Sequence, residues 1–401
     1  MPNPYAHLFV PTGTLGFTLA GLLARLPLPM TGIGIITLVA QWRGSYALAG
    51  AVSACFVLTY ALLSPQVSRL VDRLGQRRVL PRASLLSVLG LLLMAACAWW
   101  RSADWLLFVA ALLAGCMPSM SAMVRARWTH LYRGQPQLQT AYSLETVLDE
   151  ASFIAGPPLA VGLSVALWPQ TGLLAAAALL LLGTLALTLQ TGSEPPVAPA
   201  ETSSRRDLPA WRCDGVPQLT LLMAAMGMIV GTVDIVSVAF ASEQGQPAAA
   251  SLVLSAYAVG SCVSGLLFGT LRWRMSLPRQ LLVGALATTL STLPLLLVGN
   301  IAQLAAAVLM AGVFFAPTMI VAMALVERSV PERQLTEGLT WLLAGLNVGV
   351  AIGAAGAGQW VDATTARSGF MIAVIGGLLV LLAALAVASR RQARPVQSSA
   401  Q

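Results

Sequence analysis

The chain has 401 residues, of which 57% are hydrophobic and only 9% charged, with a mean hydropathy of +0.79. A soluble domain is about one quarter charged, so a water-soluble enzyme or binding module is excluded and membrane spans are expected. A net charge of +8 suits a nucleic-acid partner, but its placement argues against one, because the arginines stand at the ends of apolar segments and not in one basic patch.

Lysine is absent and all 23 basic residues are arginine, a matter of composition. Of the cysteines, Cys55, Cys97, Cys116 and Cys262 lie in apolar segments and only Cys213 in a polar one. Neither a disulfide framework nor a zinc spacing is present.

The first apolar run covers about 10–40. It has no basic residue before Arg25 and no small-residue cleavage site, so it reads as a first span and not a signal peptide. Further runs fall at about 47–68, 82–100, 105–124, 141–167 and 171–190, each long enough to cross a bilayer as a helix. A polar, Pro/Ser-rich stretch at 191–217 reads as a linker. Six more runs follow at about 218–242, 250–271, 280–298, 302–326, 336–362 and 369–389. The expectation is twelve spans in two sets of six. They divide into an N-terminal bundle (1–190), a cytoplasmic linker (191–217), a C-terminal bundle (218–389) and a cytoplasmic tail (390–401). Trp99, Trp100, Trp105 and Trp168 stand near span ends and read as interfacial anchors.

Alternate loops differ sharply in charge. One set holds 19 arginines, at 69, 73, 77, 78, 82, 125, 127, 133, 205, 206, 212, 272, 274, 279, 328, 333, 390, 391 and 394. The other holds three, Arg43, Arg101 and Arg367. The positive-inside rule therefore puts both termini and the linker in the cytoplasm. Arg25 belongs to neither set, because it lies inside the first span.

The halves repeat. At an offset of 197, Gln137 pairs with Gln334, Leu138 with Leu335, Gly115 with Gly312 and Gly156 with Gly353. At an offset of 201, Ser68 pairs with Gly269 and Leu70 with Leu271. Six spans, a linker and six related spans is the plan of a rocking-bundle transporter with its solute site between the halves.

Between spans 2 and 3 the chain reads Ser68-Arg69-Leu70-Val71-Asp72-Arg73-Leu74-Gly75-Gln76-Arg77-Arg78. This resembles the loop signature of the major facilitator superfamily, with serine where the family usually has glycine. The sister loop, Gly269-Thr270-Leu271-Arg272-Trp273-Arg274, keeps the glycine but has Trp273 in place of the aspartate. The resemblance implies an all-α polytopic membrane protein of two six-helix bundles with a central cavity. It further implies a monomeric carrier of a small solute, with protons as partner, in a bacterial inner membrane. Gly75 permits a tight turn, and Asp72 can accept bonds from a helix N-terminus or an arginine. Asp72, Arg73, Gly75, Arg77 and Arg78 are thus the candidate gating loop. Serine at 68 is expected to loosen the helix contact there.

Charged groups inside spans mark the candidate site. Arg25 sits midway along span 1, in Ala24-Arg25-Leu26-Pro27-Leu28-Pro29. A charge at the centre of a span costs about 2.5–3.5 kcal/mol even on lenient scales, so it needs a partner or a watery cavity. The prolines remove backbone donors and are expected to break or kink the helix. Span 5 carries Glu145, Asp149 and Glu150, and span 7 carries Asp234 at comparable depth. Glu145 and Asp149 share one helical face, while Glu150 points about 100° away. In the superfamily spans 1 and 5 pack together, so the resemblance implies that Arg25 reaches Asp149 or Glu150. Such a group either binds solute or protons, or only fixes helix register. Arg125 and Arg127, at the end of span 4, are alternative partners for Glu145 in a cytoplasmic gate.

Gly156-Pro157-Pro158 partly resembles the glycine-proline signature of the superfamily's antiporters, which favours proton-coupled efflux over uptake. Gly345, Gly349 and Gly353 stand at four-residue spacing, which suits close helix packing. A membrane-embedded enzyme needs a clustered catalytic set, but the chain has only two histidines, His7 and His130, both near cytoplasmic ends. No nucleotide loop or metal-ligand spacing is present, so no cofactor is expected and the driving force is an ion or solute gradient.

Overall fold

The computed structural model describes residues 5–43, 46–100, 103–197, 209–246, 249–271 and 274–392. Arg101, Arg205, Arg206, Arg272, Trp273 and Arg394 lie outside the described residues. Within them, the regular structure is helical throughout. Span 1 is α1 (Thr14–Arg25) and α2 (Pro27–Arg43), followed by α3 (Tyr46–Leu74) and α4 (Gln76–Trp99). Next come α5 (Trp105–Ala114), α6 (Met120–Tyr132), α7 (Gln137–Ala166) and α8 (Thr171–Thr188). The second half has α9 (Val216–Glu243), α10 (Ala249–Thr270), α11 (Leu277–Thr292) and α12 (Ile301–Ser329). It ends with α13 (Leu335–Ala363), the short α14 (Ala366–Gly369) and α15 (Met371–Gln392).

Ten of the expected spans are long and apolar enough to cross a membrane. The other two differ for physical reasons. Span 4, expected as one helix over 105–124, breaks between Ala114 and Met120 around Pro118, and α6 then runs on to Tyr132. Pro118 has no N–H to donate, so the α5 ladder loses a bond there. Span 5 is a single 30-residue helix, α7, but its carboxylates disqualify it as a simple apolar stretch. Span 9 also departs from one regular helix. α11 ends at Thr292 and a 3-10 turn follows over Leu293–Leu297, with Pro294 at its start.

The expected break in span 1 is present, since α1 ends at Arg25 and α2 starts at Pro27. By contrast α7 runs unbroken through Pro157 and Pro158. The gating loop shrinks to one residue, Gly75, whose φ of +88° lies in the left-handed region that a side chain rarely adopts. The tryptophans at 99, 100, 105 and 168 are all exposed.

Contacts divide the chain into two compact units, Met1–Pro209 with Pro331–Thr340, and Ala210–Val330 with Trp341–Gln401. The ten-residue segment Pro331–Thr340 thus joins the first unit although it lies inside the C-terminal stretch of the sequence.

Glycines paired by the repeat do the same packing job in each unit. Gly156 of α7 lies against Pro29 of α2, where an added Cβ would stand 2.8 Å from Pro29 Cγ. Its mate Gly353 of α13 lies against α9, where a Cβ would stand 2.7 Å from Met228 Cα. Likewise Gly115 abuts Thr59 of α3, and Gly312 abuts Tyr257 of α10. Gly345 and Gly349 meet the α9 carbonyls of Thr220 and Ala224, and Gly227 and Gly231 meet α13 from the opposite side. Lipid tails are as apolar as leucine, so close backbone packing by small residues must replace the hydrophobic effect between helices. Gly353→Ala is therefore expected to lose about 1–3 kcal/mol of stability by overpacking. Gly358→Ala on the same helix, with nothing within 4 Å, is expected to be neutral or slightly stabilising. Thermal denaturation of the two variants in detergent separates these outcomes.

Candidate functional site

Arg25 is buried at the end of α1, where Leu26 and Pro27 interrupt the helix. Its Nε donates to the Gly21 carbonyl at 3.2 Å, and Nη1 to the Glu145 carbonyl at 3.3 Å. Nη1 also donates to Asp149 Oδ1 at 2.9 Å, and Nη2 is paired with Glu145 Oε2. One guanidinium thus bridges two carboxylates a helical turn apart, as the i, i+4 spacing allows. Glu145 is fully buried, and its Oε1 accepts the Trp128 indole N–H at 2.9 Å. Trp128 is in turn clamped by Phe17, with ring centroids 4.7 Å apart edge to face, and stacked on Tyr132.

Asp149 is held from the other side by Arg125, whose Nη2 stands 2.8 Å from Oδ2, and by the Ser121 hydroxyl. Arg125 has no exposed surface, and its Nε and Nη1 have no hydrogen-bond partner among the described residues. Each such buried orphan donor costs about 1–3 kcal/mol. The cluster therefore holds two arginines and two carboxylates, formally neutral, drawn from α1, α6 and α7.

A small recess opens beside it, lined by Arg25, Asp149, Tyr60, Ser121 and Ser152. Its apolar wall includes Met117, Pro118 and Met120, which are the residues where span 4 breaks. Phe153 and Leu28 complete that wall.

The expected partners are rearranged. Glu150 is half-buried and is not among the groups bonded to Arg25, because it points away from the Glu145/Asp149 face. The proposed gate of Arg125, Arg127 and Glu145 is not formed. Glu145 goes to Arg25 and Trp128, and Arg125 goes to Asp149. Arg127, two residues on and so on another face of α6, caps the end of α8. It donates to the carbonyls of Leu187 at 2.9 Å and Gln190 at 2.7 Å, to Ser193 Oγ at 2.8 Å and to Gln76 Oε1 at 2.8 Å. A cation over the orphan carbonyls of a helix C-terminus is a structural cap. Asp234, on α9 of the second unit, is exposed and has no hydrogen bond or ion pair among the described residues.

The signature loop acts through α3 rather than through its arginines. Asp72 Oδ2 accepts the Glu337 backbone N–H at 2.8 Å and Oδ1 that of Thr336 at 3.3 Å. These belong to the first turn of α13, where amides lack intrahelical partners and the helix dipole favours an anion. Ser68 does not loosen the contact. It is fully buried, and its hydroxyl bonds Thr340 Oγ1 at 2.7 Å. Arg69 stands 3.8 Å from Glu337. Arg73, Arg77 and Arg78 are exposed and form no ion pair among the described residues. At Gly75, Glu194 Oε1 would lie 3.0 Å from a Cβ, and the same oxygen accepts the Arg77 backbone N–H. The Trp128 and Ser121 contacts were missed by sequence reasoning. Both stand on α6 at one-turn intervals with Arg125, a pattern that helical spacing carries once span 4 is read as continuing past residue 124.

The family model for the Major Facilitator Superfamily matches residues 15–246 and 219–401. The chain belongs to this superfamily of transporters. No curated protein sequence matches it significantly. Among solved structures, a bacterial homologue of the iron transporter ferroportin, in an outward-facing state with soaked iron, aligns with a TM-score of 0.75. It is 16% identical, over 94% of this chain and 99% of that one. The Escherichia coli fucose:proton symporter aligns at 0.69 and 14% identity, over 93% and 98% of the two chains. The human organic anion transporter TETRAN aligns at 0.68 and 15% identity, over 94% and 100%. At these identities the likeness is one of fold.

Because Arg25 bridges two buried carboxylates, Arg25→Ala is expected to destabilise the transporter by roughly 3–5 kcal/mol. Arg25→Lys should restore only part, since an ammonium lacks the fork that spans Glu145 and Asp149. Adding Glu145→Gln to Arg25→Ala should recover stability, because it removes the stranded charge. Thermal unfolding of the four proteins in one detergent measures the coupling.

Proposed function

We propose that this transporter moves a small solute across a bacterial inner membrane by alternating access, together with a proton, and that Asp149 receives the proton. The observation that carries this is the double grip of Arg25 and Arg125 on Asp149. A proton on that carboxyl group removes one of two negative charges. Arg25 keeps Glu145, but Arg125 is left with no carboxylate. Protonation therefore produces an unopposed cation rather than an empty anion, and an unopposed buried cation must be compensated by something that enters. That logic favours proton and solute travelling together.

Gly156-Pro157-Pro158, which favours efflux in exchange for protons, packs through Gly156 against Pro29 inside an unbroken α7, and the charge logic at Asp149 is the reason co-transport is set ahead of it. The fold is one that a fucose:proton symporter uses for co-transport. The arginine count supports cytoplasmic termini.

Asp72 is proposed as the latch of the cycle. Its two bonds hold the first turn of α13, and releasing them frees that turn to move. Asp72→Asn keeps the shape but loses the charge opposite the helix dipole, an interaction typically worth about 0.3–1 kcal/mol and up to about 2 when partly buried. The variant is expected to change turnover by roughly 2- to 30-fold with little effect on solute affinity. Initial rates and binding on the same preparation test this, and wild-type turnover at normal expression rejects the latch.

For coupling, full-length protein in proteoliposomes should accumulate a solute from a metabolite panel in response to an inward proton gradient. Asp149→Asn is expected to abolish the response to pH while leaving solute exchange at equal pH. Wild-type proton coupling in Asp149→Asn would reject Asp149 as the proton's site.

A further inference from the structure

We infer that the recess at the broken fourth span binds a small, carboxylate-bearing apolar solute, whose anionic group takes the places that Asp149 holds on Arg25 and Arg125. This rests on Asp149 being the coupling group. Three features of the geometry lead to it.

The first is the donor set around Asp149. A carboxylate there receives the Arg25 Nη1–H at 2.9 Å, faces Arg125 Nη2 at 2.8 Å and accepts the Ser121 hydroxyl. Two guanidinium groups and a hydroxyl converging on one carboxylate form a receptor for that chemistry. The protein fills it with its own side chain. The second is accessibility. Asp149 is 13% exposed, whereas Arg25 and Arg125 are 3% and 0% exposed. The carboxylate is thus the group that an incoming molecule meets and displaces, with the arginines behind it. The third is the orphaned Nε and Nη1 of Arg125, buried donors that have no acceptor among the described residues.

The charged and titratable groups around Asp149 are Arg25 from α1, Tyr60 from α3, Arg125 from α6, and Glu145 and Glu150 on its own helix. A cationic solute entering this set meets two arginines that already neutralise the carboxylate and repel it. An anion meets them as ligands as soon as Asp149 takes a proton from water on one carboxyl oxygen. Binding then restores charge balance, and loss of the proton on the far side returns Asp149 to the arginines and expels the anion. The recess as it stands holds about one water, so the solute's body needs the room that the displaced Asp149 side chain vacates, beside the apolar wall of Met117, Pro118, Met120 and Phe153.

Benzoate is the probe, with benzylamine as its cationic counterpart. Benzoate is a carboxylic acid of ordinary pKa, about 4, and so is ionised at both pH values used. Calorimetric titration of the full-length protein in detergent is expected to show benzoate binding about tenfold or more tighter at pH 5.5 than at pH 7.5, since one proton binds with it. Asp149→Asn fixes the neutral form and should bind benzoate more tightly than the wild type does at either pH, with no pH dependence, because two arginines hold the wild-type carboxylate ionised at both. Phe153→Trp, at an exposed position that leaves the charges untouched, should weaken benzoate at least about tenfold by filling the recess. Benzylamine should not bind. Binding of benzylamine in competition with protons, or absence of benzoate binding to folded wild type and Phe153→Trp alike, overturns the anion site. Coupling is read separately, from the pH-gradient response in proteoliposomes, so a failed solute class and a failed Asp149 give different results.

Discussion

A positive charge in the middle of a membrane span is the constraint from which the first unit is built. Arg25 cannot be left alone in hydrocarbon, and it is far from either end of its span, so the protein must bring counter-charges to it. Glu145 and Asp149 supply them from one face of α7. Two carboxylates against one arginine leave a surplus negative charge, and Arg125 from α6 removes it. The result ties α1, α6 and α7 together through groups none of which is tolerable by itself. It also explains why α7, long enough to span, is not a simple apolar stretch. Its polarity is addressed inward, where it is neutralised.

Helix interruptions put these groups where they meet. Pro27 ends α1 at Arg25, and the break around Pro118 starts α6 so that Ser121, Arg125 and Trp128 follow one another by about a turn. Broken backbone inside a membrane is acceptable only where it faces protein or a cavity. The recess lined by Met117, Pro118 and Met120 meets that condition. Apart from the 3-10 turn at Leu293–Leu297 the other spans stay regular, and glycines let helices approach closely at equivalent points in each unit, as Gly156 and Gly353 do.

The helix ends follow the same electrostatic rule with opposite signs. Asp72 satisfies free amides at the start of α13, and Arg127 satisfies free carbonyls at the end of α8. Asp72 stands next to arginines that look equally available on paper. Arg73, Arg77 and Arg78 remain in solvent, where a basic charge enforces topology without forming specific bonds. The difference lies in which side chains meet an unsatisfied helix terminus.

Much of the plan was legible in the sequence because the bilayer imposes length and hydrophobicity on each span. Most of the helices, the interruption after Arg25, the turn at Gly75 and the packing role of the Gly345/Gly349/Gly353 series all follow from local rules of proline, glycine and apolar period. The i, i+4 spacing of Glu145 and Asp149 already separated them from Glu150. Which arginine goes to which carboxylate did not follow, since Arg125 and Arg127 differ by two residues yet serve an ion cluster and a helix cap. Nor did the break at Pro118, the hydroxyl bond that closes the Ser68 contact, or the capture of Glu145 by Trp128. Pairing depends on distances between helices that are remote in the chain. Those distances are set by how side chains and glycines let the helices approach, and only the folded structure fixes that.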